Sequence, residues 1–359
     1  MPLFSNHNNN IYYNNILYVI IIKNLKLIYF FKSVRMTLEE PRLRLGLCCL
    51  NTELRDQKPT VFASRGCILS TLEKNGIEFA QSIALTNIRD LFTMMEWNYQ
   101  NGIEVFRLSS NIFPHLTNHA IDLCDYNLNF AEGILGKLGK FAKSRGQRVT
   151  FHPGQFNVLG TPNIDALQKT FYELYTHAQI LNYMDCPSDS VMVIHGGGVY
   201  GDKRETMDRW CKNYMKLPED TRKRLVLENC EKNFNIEDCL EISSRCGVPV
   251  VLDNHHFLCY NQIHPESKPK YDISTYIPMV LDTWKAKGIR PKFHISEQGS
   301  GKIGHHSDFI TELPDYYLEI PEKYSVGVDI MVEAKMKEQA IFKLYNTHRD
   351  LFGQFIKRD

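Results

Sequence analysis

No two cysteines in this chain are spaced as CxxC, which removes most thiolate metal sites from consideration. Ten cysteines are present, but apart from the adjacent Cys48 and Cys49 they stand singly. With no secretory signal, such scatter reads as free thiols in a reducing, intracellular setting, and no disulfide framework is expected. Long hydrophobic runs are missing too. The apolar stretch Ile16–Ile22 is broken by Lys23, Asn24 and Lys26, short of the roughly 18 residues a spanning helix needs. No membrane partner is therefore expected. Charge of one sign is scarce: 42 Lys and Arg face 41 Asp and Glu, a formal net charge of +1. That balance argues against a broadly basic coat for nucleic acid, though a locally positive groove remains open. No GxSxG nucleophile elbow occurs, so Ile194-His195-Gly196-Gly197-Gly198 is not an esterase oxyanion loop. Gly299-Ser300-Gly301-Lys302 lacks two P-loop residues, Ser296 and Ile303 standing in their places, and reads as a plain glycine-rich loop.

Residues 1–40 differ from the rest. Asn6, Asn8, Asn9, Asn10, Asn14 and Asn15 precede an Ile-, Leu- and Tyr-rich stretch, which reads as a low-complexity extension, disordered or untranslated, with Met36 as an alternative start. No Ser- or Gly-rich linker splits residues 41–359, so one domain and a monomer are expected.

That domain alternates short apolar runs with amphipathic stretches. The runs are Leu43–Cys49, Val105–Ser110, Val149–His152, Val191–His195, Leu225–Glu228, Pro249–Asp253, Lys292–His294 and Val328–Glu333. Between them, apolar residues recur at helical spacing over Asn87–Gln100, Ile121–Lys143, Ala166–Tyr183, Arg204–Met215, Ile236–Arg245, Ile277–Lys287 and Glu338–Phe352. Thr86 or Asn87 is the expected cap of the first helix, and Asn261–Lys270 reads as an exposed loop. Eight buried strands with intervening helices predict an α/β fold, a single (β/α)8 TIM barrel with a metal site at its C-terminal mouth.

The mouth would collect His152, His195, Glu228, Asp253, His294 and Glu333, each at or near the end of a run. Alone, a strand-end histidine or glutamate is as readily a structural or solvated side chain. Six together point to a polynuclear metal site. The donors are nitrogen and oxygen without thiolate, which suits manganese, zinc or magnesium. Three ions could be shared among His152, His195 and Glu228; Glu228, Asp253, His294 and Glu333; and His256, His306 and Lys292. Lys292 and His294 lie two apart on a strand and share a face. A lysine in so cationic a site needs a lowered pKa or carboxylation, unless it snorkels out or pairs with Glu228.

His152-Pro-Gly-Gln155, Glu228-Asn229, Asp253-x-x-His256, Lys292-x-His294 and Glu333-Ala-Lys335 resemble the UV damage endonucleases, as do Arg44-Leu-Gly46 and Arg107-Leu-Ser109-Ser110-x-x-x-Pro114. The resemblance covers roughly residues 42–340. It implies a barrel related to endonuclease IV, up to three divalent ions, often manganese, and a carboxylated Lys292. It further implies a partner, damaged double-stranded DNA, nicked immediately 5′ to cyclobutane dimers, 6-4 photoproducts and some abasic sites by metal-activated hydroxide. Glu228, Lys292 and Glu333 would then carry catalysis. Gln155 and Phe156 would act as probes wedged into the duplex, with Asn51 and Arg107 also on the DNA side. His119 resembles a family histidine at altered spacing, and Asp308 lies in the loop that carries His306. The family often has tyrosine at the position of Leu47, and some members at that of Phe156. The rival readings are an endonuclease IV-like abasic-site enzyme, a two-metal sugar isomerase, and a lesion-binding protein without catalysis.

Overall fold

The structure, a computed structural model, describes residues 41–118 and 126–352, so His119 and the extension 1–40 lie outside the described residues. Within them, eight short parallel strands alternate with helices: β1 (Leu43–Cys48), β2 (Val105–Arg107), β3 (Arg148–Thr150), β4 (Met192–His195), β5 (Leu225–Glu228), β6 (Val250–Val251), β7 (Lys292–Ile295) and β8 (Val328–Val332). The pairing order is β3-β2-β1-β8-β7 in one arc and β4-β5-β6 in the other. Single parallel bridges join the arcs, Phe151 to Met192 at one seam and Asp253 to His294 at the other. Together they complete the ring of a (β/α)8 barrel.

The long helices are α1 (Ile77–Gln100), α2 (Glu132–Ser144), α3 (Ile164–Tyr183), α4 (Lys203–Lys216), α5 (Ile236–Cys246), α6 (Asn254–Ile263), α7 (Ile273–Lys285) and α8 (Lys337–Thr347). Their apolar faces are buried on the strands: Ile88, Leu91 and Met95 from α1, Leu135 and Leu138 from α2, Leu174 and Leu181 from α3, Trp210 from α4. Burial of this kind contributes about 25 cal/mol per Å² of apolar surface. It fixes the wall that the site needs as a rigid frame.

Three sequence expectations change here. The first helix begins at Ile77, so Thr86 and Asn87 lie inside it and cap nothing. Asn87 is buried, and its side chain accepts from the Arg65 amide at 3.0 Å and donates to the Ile112 carbonyl at 2.9 Å, pinning a loop to the helix. The second begins only at Glu132, after a 3-10 turn over Leu128–Ala131. Asn261–Ile263 belongs to α6 and Pro265–Ser267 to a 3-10 turn, so the expected loop is shorter.

Inside the ring, alternation puts every second strand residue on the axis. At the N-terminal end, Asp329 of β8 takes Arg44 of β1 at 2.7 Å, Arg148 of β3 at 2.7 Å and Arg290 at 2.8 Å. Burial would raise the Asp329 carboxyl, but the three guanidinium groups outweigh it and hold it far below the usual carboxylate range. Above this layer Gly46 leaves no room for a side chain, since a Cβ there would lie 2.8 Å from Met331 Cε. The next polar layer is the barrel mouth.

Candidate metal centre

Strand ends supply the site. His195, Glu228 and His294 lie at or next to the C-termini of β4, β5 and β7, and Glu333 follows β8 directly. His152 stands two residues beyond β3, where Pro153 and Gly154 turn the chain outward. Asp253 is the N-cap of α6, and its Oδ1 accepts from the His256 amide at 2.8 Å. That cap places the carboxylate and the His256 ring side by side, as the three-residue spacing requires.

Glu228 is the hub. Completely buried, it accepts from His152 Nε2 at 2.9 Å on Oε2 and from His294 Nδ1 at 2.7 Å on Oε1. His195 Nε2 stands 3.7 Å from Oε2, and His256 Nδ1 stands 3.6 Å from Oε1. One carboxylate thus faces two separate pairs of imidazoles. Glu333 Oε1 lies 3.3 Å from His294 Nδ1, and Oε2 lies 3.9 Å from His306 Nδ1. Among the described residues three overlapping groups could each hold a metal ion: His152, His195 and Glu228; Glu228, Asp253 and His256; Asp253, His294 and Glu333.

The electrostatics are those of a site that wants cations. Burial opposes charge on Glu228, yet His294, His195 and His152 outweigh it and hold its carboxyl well below the usual range. Glu333 is likewise held low against burial, chiefly by Arg107 and His294. Burial pushes His195 down to about 4 and also lowers His294. His256 goes the other way: Asp253, Glu228 and Glu231 overcome burial and raise it to about 9. Burial, with Glu228 and Glu333 adding to it, raises Asp253. Three buried atoms of this set, His195 Nδ1, His294 Nε2 and Asp253 Oδ2, have no hydrogen-bond partner. An orphaned buried polar atom costs roughly 1–3 kcal/mol, so three in one cluster mark a place built for ligands it can grip. Nitrogen and oxygen donors fit a hard or borderline divalent ion.

Lys292 is fully buried below this cluster, and its Nζ donates to Thr150 Oγ1 at 3.1 Å. It therefore neither snorkels out nor pairs with Glu228. Burial first, and then Arg107 and Arg148, bring its amine down to about 7. Arg107 is paired with Glu333 at the mouth. Asp308 is exposed, its Oδ1 3.9 Å from Lys335 Nζ and away from the cluster. His255 is buried against Cys259 at 3.5 Å.

Gln155 and Phe156 sit on an exposed turn beside the mouth, Phe156 being 82% accessible. The turn is pinned from below: Asn157 donates to the Gly154 carbonyl at 2.9 Å and to Glu173 at 2.8 Å. A cleft of about 690 Å³, lined by Gln155, Phe156, Lys169 and Tyr200 among others, opens next to it. Asn51 caps the short helix Thr52–Asp56 by accepting from the Leu54 amide at 2.8 Å, leaving its buried Nδ2 unpartnered.

Two supporting residues received no role from the sequence, although Asn229 stands in the Glu228-Asn229 motif. Asn229 clasps the Asp253 backbone from both sides, donating at 3.0 Å and accepting at 2.9 Å, while its own carbonyl takes His256 Nδ1 at 3.0 Å. Tyr317 donates from below to the carbonyls of Leu252 and His294, both at 3.1 Å. Asn229 follows a strand-end glutamate, a position that could have flagged it. Tyr317 lies outside any strand and carries no such signal.

Against known proteins, residues 43–354 match the family described as UV-endonuclease UvdE. A putative UV-damage endonuclease of Acanthamoeba polyphaga mimivirus is 38% identical over 312 residues, 86% of this chain and 92% of that protein. The UV-damage endonuclease of Schizosaccharomyces pombe is 36% identical over 84% of this chain, which spans 50% of that longer protein. Among solved structures, SacUVDE superposes with a TM-score of 0.72 at 30% identity, covering 86% of this chain and 99% of that one. Endonuclease IV from Thermus thermophilus superposes at 0.50 with 14% identity, over 87% of this chain and 98% of its own, a likeness of fold alone.

Proposed function

This chain belongs to the UV-endonuclease UvdE family and is a DNA repair endonuclease for UV damage; on that footing we propose that its barrel mouth hydrolyses the phosphodiester immediately 5′ to cyclobutane dimers, 6-4 photoproducts and some abasic sites. Up to three divalent ions, manganese by preference, would be held by His152, His195, Glu228, Asp253, His256, His294, His306 and Glu333. When bound, such ions supply Lewis acidity and a hydroxide nucleophile near neutral pH. The observation that carries this reading is Glu228, whose two oxygens face different imidazoles from inside the wall.

The chain's own residues prepare the rest. Asp253, His294 and Glu333 keep acceptor atoms aimed at one point, and Asn229 and Tyr317 hold the backbone under them. Arg107 balances Glu333 from the side, keeping the carboxylate ionised. With its pKa lowered to about 7, the Lys292 amine sheds its proton far more readily than an ordinary lysine, and a carbamate formed at Nζ from CO2 would remove a buried cation from beneath the cluster.

Lesion choice would rest on deformability. Damaged steps unstack at lower cost, and an exposed amide and ring on a pinned turn can fill the gap. The adjoining cleft has room for an extruded base. The protein would work as a monomer wherever the cell repairs its DNA. No helix among the described residues is long and apolar enough to cross a membrane.

The deciding experiment is strand nicking with Mn²⁺ on three end-labelled duplexes: undamaged, abasic, and carrying one thymine dimer. A cut just 5′ to the dimer, absent from undamaged DNA, is expected. Cutting at the abasic site alone would reassign the specificity to that of an abasic endonuclease.

A further inference from the structure

The glycine-rich segment after β7 is not slack. Gln298 and His306 form an antiparallel bridge, and the Gly299 amide donates to the His305 carbonyl at 2.6 Å. The His305 amide closes a turn on the Lys302 carbonyl at 3.1 Å. Gln298 spans the turn with its side chain, donating to the Lys302 carbonyl at 2.9 Å and accepting from the Gly304 amide at 2.9 Å. The glycines are obligatory: a Cβ on Gly299 would sit 2.3 Å from the His306 carbonyl oxygen, and Gly301 and Gly304 hold φ of +111° and +91°. The result is a stiff hairpin whose base is His306, 3.9 Å from Glu333, and whose tip is Lys302-Ile303.

The backbone of that tip is bonded within the hairpin, but its two side chains reach outward. Ile303 is 40% exposed, and no hydrogen bond or ion pair of the described residues involves the Lys302 ammonium. Glu231, which lies against Gly304, is paired instead with Lys232 at 3.4 Å. An apolar residue and an unpaired cation, held rigidly at the rim of a site that hydrolyses DNA, form a place for a sugar–phosphate backbone.

We propose that hairpin 298–306 is a second DNA grip, in which the Lys302 ammonium takes a backbone phosphate and Ile303 packs on the adjoining sugar. The grip sits on the βα loop of β7, across the mouth from the Gln155-Phe156 turn after β3. A duplex held at both places is fixed in register over Glu228 before any lesion is opened. Lys302 is thus a positioning residue, and it acts on affinity rather than on the chemical step. The inference rests on DNA lying across the mouth as set out above.

Steady-state nicking of the thymine-dimer duplex at several salt concentrations tests it. Each phosphate neutralised contributes about 0.9 to the slope of log affinity against log salt. Lys302→Ala should lower that slope by about one unit and raise KM several-fold with kcat unchanged, and Lys302→Arg should restore both. Ile303→Ser should raise KM without touching the slope. Lys137→Ala, an exposed lysine on the outer helix α2, is the control and should change neither. An unaltered slope in Lys302→Ala, or an equal loss in the control, overturns the hairpin grip while wild-type nicking keeps the function. A fall in kcat alone would reduce the hairpin to a prop for His306. Failure of the wild-type protein to nick would instead remove the DNA reading itself.

Discussion

Glu228 Oε1 and His294 Nδ1 meet at 2.7 Å, both side chains wholly cut off from solvent, at the point where the two arcs of the barrel face each other. An ionised carboxylate survives there because imidazoles surround it on both oxygens. The pair makes the strongest single prediction. Glu228→Gln keeps the shape and removes the charge, so bound metal should drop and lesion nicking should fall by more than the roughly 10–100-fold that loss of an outer partner costs. Metal content by elemental analysis and nicking rate check this together, with circular dichroism unchanged. A Gln variant that nicks at the wild-type rate would refute the bridging role.

His256 gives the pH dependence. Its pKa is raised to about 9 by Asp253, Glu228 and Glu231 against the effect of burial. In protein stripped of metal, a raised histidine adds stability below its unfolded value of about 6.5, and that stability is lost as pH rises through 9. A cation entering the site must displace the same proton. Mn²⁺ binding at pH 7 should therefore release protons, and affinity should climb with pH toward 9. Calorimetry in two buffers of different ionisation enthalpy measures the release directly. Identical heats in both would rule it out.

Asp329 governs stability rather than chemistry. Its carboxyl is held far below the usual range by Arg148, Arg44 and Arg290. A depressed carboxyl stabilises above its unfolded value of about 3.9, and the contribution drains away as pH falls below that. Asp329→Asn leaves one buried and two part-buried guanidinium groups facing one another and should cost about 3–5 kcal/mol at pH 7. The measurement is urea unfolding at pH 7 and at about pH 2.5, below the unfolded carboxyl pKa, where the gap between variant and wild type should narrow.

Phe156 should behave in the opposite way. At 82% exposure its removal changes stability little, within about 0.5 kcal/mol. Stacking of a base on an aromatic ring is worth about 1–3 kcal/mol, so Phe156→Ala should weaken dimer nicking by roughly 5–150-fold. Equal rates for variant and wild type on the dimer duplex would dismiss the wedge.

The ring of strands and the gathering of His152, His195, Glu228, Asp253, His294 and Glu333 at one mouth were legible because both are written in local pattern. Short apolar runs give strands, and a polar residue at the end of each can only be at the rim. Depth inside the barrel was not legible. Arg44, Arg148 and Asp329 look like ordinary charges in strands, yet they pair across the axis at the closed end. Strand parity held a clue, since Asp329 and Glu333 lie four apart and share a face. Partner choice was also hidden: nothing in the sequence pairs Arg107 with Glu333. Asn87 reads as a cap because Asn at a helix start is common, whereas here tertiary hydrogen bonds decide its role. His119 lies outside the described residues.

The barrel wall is complete only through two single bridges, and one of them pairs Asp253 with His294. Both residues offer ligand atoms to the same candidate ion group. An ion held between them would act as a rivet across a seam that backbone pairing alone barely stitches. Loading the centre and shutting the cylinder then become a single event. Chelators should loosen the join between the five-strand and three-strand arcs before they loosen either arc, and amide exchange at Asp253 and His294 should quicken first.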